Sequence, residues 1–172
     1  MQRAKLFFVT NAAMIAAIYV ALTYVFQPIS FGEVQLRISE ALTILPVFTP
    51  TAVPGLFVGC FLGNLLSGAL LPDVILGSLA TLLGAVGTRL LRNAKPVLAP
   101  VPPILANALI VPFVLRYAYG VMLPIPLMML SVAAGEALSC GVLGMLLYRL
   151  LKRQESAIFR RQDKRGQGDD FS

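Results

Sequence analysis

The 172 residues contain no histidine and no tryptophan, only two cysteines and only eight acidic side chains. Without histidine there is no imidazole for acid–base catalysis and no His-ligated metal. Cys60 and Cys140 stand singly in apolar sequence, far from the spacing of a metal or redox pair. Both read as small buried residues. No G-x-x-x-x-G-K-[ST], G-x-S-x-G or H-E-x-x-H occurs, nor a nucleophile matched with a base. These gaps exclude Walker-type ATP binding and argue against an enzyme, a metal site or a bound cofactor. Charge is also scarce, at 13% of residues against about 25% in soluble domains. No basic stripe lies on a soluble folded unit, so nucleic acid is not an expected partner.

What is present is apolar: 58% of the chain is hydrophobic. A chain this short cannot hide that much apolar surface from water, so the bilayer is its expected solvent. Long apolar runs place spans at residues 6–26, 72–91, 104–119 and 126–151. The first run is too long for a signal peptide and ends in no clear cleavage site, so it reads as a retained span. The run over 41–71 is broken by Pro46, Pro50 and Pro54. Proline disrupts a helix interior, so this run splits into a short second span ending near Phe48 and a third over 51–69. The expected fold is therefore all-α and integral to the membrane. It has six transmembrane helices over residues 1–151 and a polar tail over 152–172.

Charge placement orients the spans. With the N-terminus in the cytoplasm, twelve of the 14 basic residues fall inside, and only Arg37 and Arg116 fall outside. That is the positive-inside bias, and it puts both termini in the cytoplasm. The basic tail reads as a topology anchor against the lipid surface.

Two rows of small residues recur every fourth position: Ala13, Ala17 and Ala21 on the first span, and Gly55, Gly59 and Gly63 on the third. Such rows let helix backbones approach closely in lipid. The glycines fit packing within the monomer. The alanines fit that or a partner helix equally well.

Polarity collects in the outer half. Glu33, Glu40 and Asp73 lie near outer span ends, and Glu136 lies near the middle of the sixth span. An ionisable group at mid-membrane costs roughly 2.5–3.5 kcal/mol or more and faces a cavity or a partner. For Glu136 the choices are a solute, or a structural pair with Arg37 or Arg116. Asn64 and Asn107 could bond across helices or touch a ligand. In residues 31–40, Glu33, Gln35, Arg37 and Ser39 alternate with Val34, Leu36 and Ile38. That is the period of an extended segment, which reads as an ordered lid over the outer mouth. The excess of carboxylates over arginines outside favours a cationic or donor-rich solute.

The stretches FGEVQLRISEALTILPVFTPTAVPGLFVGCFLGNLLSG, PDVILGSLATLLGA, PPILANALIVP and GEALSCGVLG resemble the QueT family. The resemblance spans residues 5 to 151, and Q-L-R-I-S-E-A-L is its most specific part. It implies the substrate-binding (S) component of an energy-coupling factor (ECF) transporter in a bacterial cell membrane. Such a component captures a vitamin-like solute outside. It delivers it to one EcfT-like transmembrane coupling protein and two ATPase subunits. The implied solute is a queuosine precursor of the 7-deazaguanine type, chiefly 7-aminomethyl-7-deazaguanine. By this resemblance Gln35, Arg37 and Glu40 would close the lid over the solute. Asn64, Asp73, Asn107 and Glu136 would bind it, and Phe31 or Tyr24 would stack on its ring. Ala13, Ala17 and Ala21 would face the coupling protein. An S component for another small heterocycle, or a solitary secondary carrier, are the alternatives.

Overall fold

The computed structural model of the chain describes residues 2–27 and 37–154, and every regular element among them is helical. Helix α1 is Gln2–Val25. A 3₁₀ helix, Ile38–Val47, follows, then α2 (Ala52–Leu66), α3 (Leu71–Leu90) and α4 (Val101–Tyr117). Two short 3₁₀ turns, Leu91–Asn93 and Pro96–Leu98, join α3 to α4. Helix α5 begins as Ile125–Glu136, opens into a π-helical stretch, Ala137–Leu143, and runs on to residue 154.

Proline and glycine set these boundaries. Pro72, Pro102 and Pro126 sit in the first turns of α3, α4 and α5, where a missing N–H costs nothing. Gly68 and Gly120 take positive φ beyond the ends of α2 and α4. At the first, Ala69 N–H bonds Asn64 O and Gly68 N–H bonds Leu65 O, so the last carbonyls of α2 are satisfied.

Among the described residues four helices are long and apolar enough to cross a membrane: Lys5–Val25, Leu71–Asn93, Pro96–Tyr117 and Ile125–Gln154. The expected second and third spans are shorter apolar helices, Ile38–Val47 and Ala52–Leu66. Ten residues of 3₁₀ helix rise about 20 Å, and 15 residues of α-helix about 22 Å. Each is less than the roughly 30 Å of hydrocarbon. The 3₁₀ helix also corrects the extended reading of residues 31–40 at its described end, because Ile38, Ser39 and Glu40 are its first turn. Residues 28–36, with Phe31, Glu33, Gln35 and the expected lid, lie outside the described residues, as does most of the expected tail (155–172).

The distribution of polarity is inverted relative to a water-soluble fold. Leu62, Leu66, Leu83, Leu105, Leu109, Leu130 and Leu146 point outward, whereas Glu40, Asn64, Asp73, Thr81, Asn107 and Glu136 are buried. Ile15, Tyr19, Leu42, Ala52, Leu56, Cys60 and Ala85 form the apolar core beside them.

The glycine row packs α2 onto α1. A Cβ at Gly55 would stand 2.7 Å from Ala12 O. One at Gly59 would stand 2.8 Å from Tyr19 Cβ, and one at Gly63 3.2 Å from Thr23 Cβ. The glycines thus meet the Ala12/Ala16/Tyr19/Thr23 face of α1. Ala13, Ala17 and Ala21 lie on its other side and are exposed. Gly84 and Gly87 bring α3 equally close to Pro103 and Pro102 of α4.

Gly59→Val should separate α1 from α2 and destabilise the detergent-purified protein by about 1–3 kcal/mol. Gly141→Ala, where an added Cβ meets nothing within 4 Å, should cost far less. Thermal unfolding followed by fluorescence of a thiol probe reads both; equal melting temperatures would show that the close approach carries no stability.

Candidate functional site

The 3₁₀ helix is threaded through the bundle rather than laid on it. It packs against α1, α2, α3 and the π-helical stretch of α5. Its first turn therefore delivers Arg37 and Glu40 to the interior, 4% and 0% exposed. Arg89, from the last turn of α3, donates to Pro46 O (3.0 Å) and Val47 O (3.3 Å) and so caps its far end.

Two polar clusters start from that turn. In the first, Arg37 Nη2 donates to Asp73 Oδ1 at 3.2 Å and lies 3.4 Å from Oδ2. Tyr119 Oη donates to Asp73 Oδ2 (3.1 Å) and accepts from Leu70 N (3.3 Å). Tyr119 lies in the connection after α4. Partial burial, and the charge of Asp73 next to it, push its phenol upward, so it remains a donor. Asn64 belongs here too. The position of an absent Gly77 Cβ is 3.0 Å from Asp73 Oδ1, 3.2 Å from Asn64 Nδ2 and 3.5 Å from Arg37 Nη1. Gly77 therefore leaves the space that these three groups share.

In the second cluster, Glu40 Oε1 accepts from Tyr19 Oη (2.5 Å) and Thr81 Oγ1 (2.8 Å). Cys140 Sγ donates to Glu136 Oε2 at 3.1 Å and lies 3.4 Å from Glu40 O. Thr43 Oγ1 contacts both Glu40 O (2.6 Å) and Cys140 Sγ (3.3 Å). Thr81 and Asn64 both reach Cys60 Sγ, at 3.3 and 3.6 Å, and this thiol bridges the two clusters.

Several buried polar atoms have no partner among the described residues: Arg37 Nη1, Glu40 Oε2, Ser139 Oγ and both amide atoms of Asn107. Buried groups are nearly always hydrogen-bonded, and each orphan costs on the order of 1–3 kcal/mol. The set offers a donor-only group, an acceptor-only group and groups that do both. Such a set is chemically equipped to hold a polar solute.

Of the residues expected at a site, Arg37, Asn64 and Asp73 come together, as do Glu40 and Glu136. Asn107 is fully buried on α4, on the turn below Val111. Glu136 pairs with neither Arg37 nor Arg116: Arg37 holds Asp73, and Arg116 donates to Val121 O (3.2 Å). Tyr24 is 63% exposed and faces away from both clusters; the interior tyrosine is Tyr19, 1% exposed. Sequence reasoning missed Tyr19, Thr81, Ser139 and Tyr119. Thr81 and Ser139 carried a faint signal, as hydroxyls inside apolar spans. The cysteines are buried and free, as expected, but they are hydrogen-bonded rather than simply apolar.

Removing one partner of the buried ion pair leaves a bare charge, which costs about 3–5 kcal/mol. Arg37→Ala should therefore lower the melting temperature sharply, and adding Asp73→Asn to it should restore part of the loss. An unchanged melting temperature for Arg37→Ala would show that Asp73 is compensated elsewhere.

Residues 9–153 match the family described as QueT transporter. The Queuosine precursor transporter QueT of Lactococcus lactis subsp. cremoris (strain MG1363) is 36% identical over 84 residues. That match covers 48% of this chain and 49% of the relative, so it spans about half the length of the curated protein. No solved structure matches significantly. With the family match spanning most of the chain, and four described helices long and apolar enough to cross a bilayer, this is a multi-pass membrane protein and it belongs to the QueT transporter family.

Proposed function

We propose that this chain captures a queuosine precursor, 7-aminomethyl-7-deazaguanine, outside a bacterial cell and surrenders it to an ATP-driven ECF module. The module is an EcfT-like transmembrane coupling protein with two ATPase subunits. What supports the solute is the name of the Lactococcus relative together with the orphaned polar atoms of the interior. The orphans carry the reading. A deazaguanine edge presents a carbonyl acceptor beside N–H donors. Arg37 Nη1 offers a donor to that edge and Asn107 both a donor and an acceptor, while Glu40 Oε2 offers an acceptor to the solute's ammonium.

In this reading Arg37, Glu40, Asn64, Asp73, Asn107 and Glu136 line the solute site, and Gln35 is a further contact to the solute. The chain lacks a Walker motif, so in this reading the ATPase energy comes from a partner. The uncovered Ala13/Ala17/Ala21 row on α1 is the surface for the coupling protein. Both termini are cytoplasmic, residues 1–151 form the membrane domain, and the basic tail beyond it stays inside.

Calorimetry on the detergent-purified protein should give tight binding of 7-aminomethyl-7-deazaguanine and none of guanine or riboflavin at the same concentrations. A folded protein that ignores the deazaguanine would end the solute assignment. Ala17→Leu should leave that binding unchanged while abolishing ATP-dependent uptake in cells that supply the module. Wild-type uptake by Ala17→Leu would remove this face from the docking surface, and uptake by the solitary chain in vesicles would replace the module with a secondary carrier.

A further inference from the structure

Glu40 and Glu136 lie 96 positions apart in the chain, yet one oxygen of each lies, with Cys140 Sγ, within a group 4.8 Å across. They are 0% and 2% exposed. No basic side chain stands within ion-pair distance of either among the described residues, because Arg37 is engaged by Asp73. Their donors are neutral: Tyr19 and Thr81 on Glu40 Oε1, and the Cys140 thiol on Glu136 Oε2. Two buried carboxylates side by side cannot hold their charge without a cation or a proton. A second observation points to a ligand. Glu40 Oε2 is fully buried with no partner among the described residues, and Ser139 Oγ, in the π-helical stretch beside Cys140, is likewise unmatched there. π-helical stretches concentrate at functional sites.

We infer that Glu40 and Glu136 together form the subsite for a cationic group on the transported solute, a primary ammonium, while the Arg37–Asp73–Asn64 cluster meets the uncharged planar part. The inference rests on the solute-capture reading above and specifies which end of the solute each cluster takes. An ammonium donates along tetrahedral directions at about 2.9 Å. Two acceptors around it therefore stand on the order of 4.7 Å apart, within the span of this group. A metal fits the set less well. Zinc takes at least three protein ligands, with any thiol deprotonated, whereas Cys140 uses its S–H as a donor to Glu136. Calcium or magnesium needs six or more oxygens.

The test compares two ligands on the wild-type protein by calorimetry: 7-aminomethyl-7-deazaguanine and its uncharged counterpart 7-methyl-7-deazaguanine. A charge-assisted contact is worth a factor of about 10–100 in affinity, so the methyl compound should bind weaker by at least that. Glu136→Gln and Glu40→Gln should each weaken the amine by about 10-fold or more and move the methyl compound little. Where a glutamine variant does not fold, the two-ligand comparison on the wild type still decides. Equal affinities for amine and methyl compound would overturn the inference and leave solute capture standing. Binding of neither to the folded protein would overturn both. Stoichiometric zinc binding that competes with the amine and is lost in Cys140→Ser would also overturn it, making the pair a metal site.

Discussion

Charge buried in a low-dielectric bundle has to be neutralised locally, and the Arg37–Asp73 pair does this for the centre of the protein. Arg37 enters at the start of the 3₁₀ helix and Asp73 stands in the first turn of α3, so the pair ties the threaded segment to α3 beside it. Tyr119 locks the same carboxylate to the end of α4. The orientation that this imposes on the first 3₁₀ turn also carries Glu40 inward, where Tyr19 and Thr81 receive it. Placement of the second cluster thus depends on the first.

The bundle around this centre is built by close approach rather than by bulky interdigitation. Lipid gives helices little hydrophobic reason to associate, so backbone proximity and dispersion must supply the cohesion. Glycines on α2 meet α1, and glycines on α3 meet the prolines that open α4. Both devices spend small residues on one face and leave leucines for the lipid. The interior is then free to hold polar groups that a leucine-packed core would exclude.

Most of the helical layout was legible because span length and proline position are local properties, and the chain states both plainly. Residues 6–26, 72–91, 104–119 and 126–151 are runs that only a membrane helix explains. The threaded 3₁₀ helix was not legible. An element surrounded on every side buries residues all round, as Ser39 through Ile44 do, and so it has no hydrophobic period to read. The alternation just before it suggested an extended strand for the same few residues. Among polar residues, charge at depth gave away Glu136, since an ionised group in a span demands a reason. Tyr19 and Thr81 carry no such penalty in sequence, and only their distances to Glu40 reveal what they do. The alanine and glycine rows looked alike on paper. Their partners separated them, because among the described residues the glycine row meets another helix and the alanine row is exposed.

The 3₁₀ form of Ile38–Val47 has a consequence for how such a chain can vary. At three residues per turn each residue advances the helix by about 120°, so Glu40, Thr43 and Pro46 stack on one edge, all buried. Both ends of the segment are fixed, one by the ion pair and the other by Arg89. Loss or gain of a single codon between them would swing Glu40 by a third of a revolution relative to the anchored end, away from Tyr19 and Thr81. Exchanging one side chain for another of similar bulk would leave that phase intact. The length of this segment is therefore held more tightly than its spelling, and related chains should differ here by substitution and not by insertion or deletion.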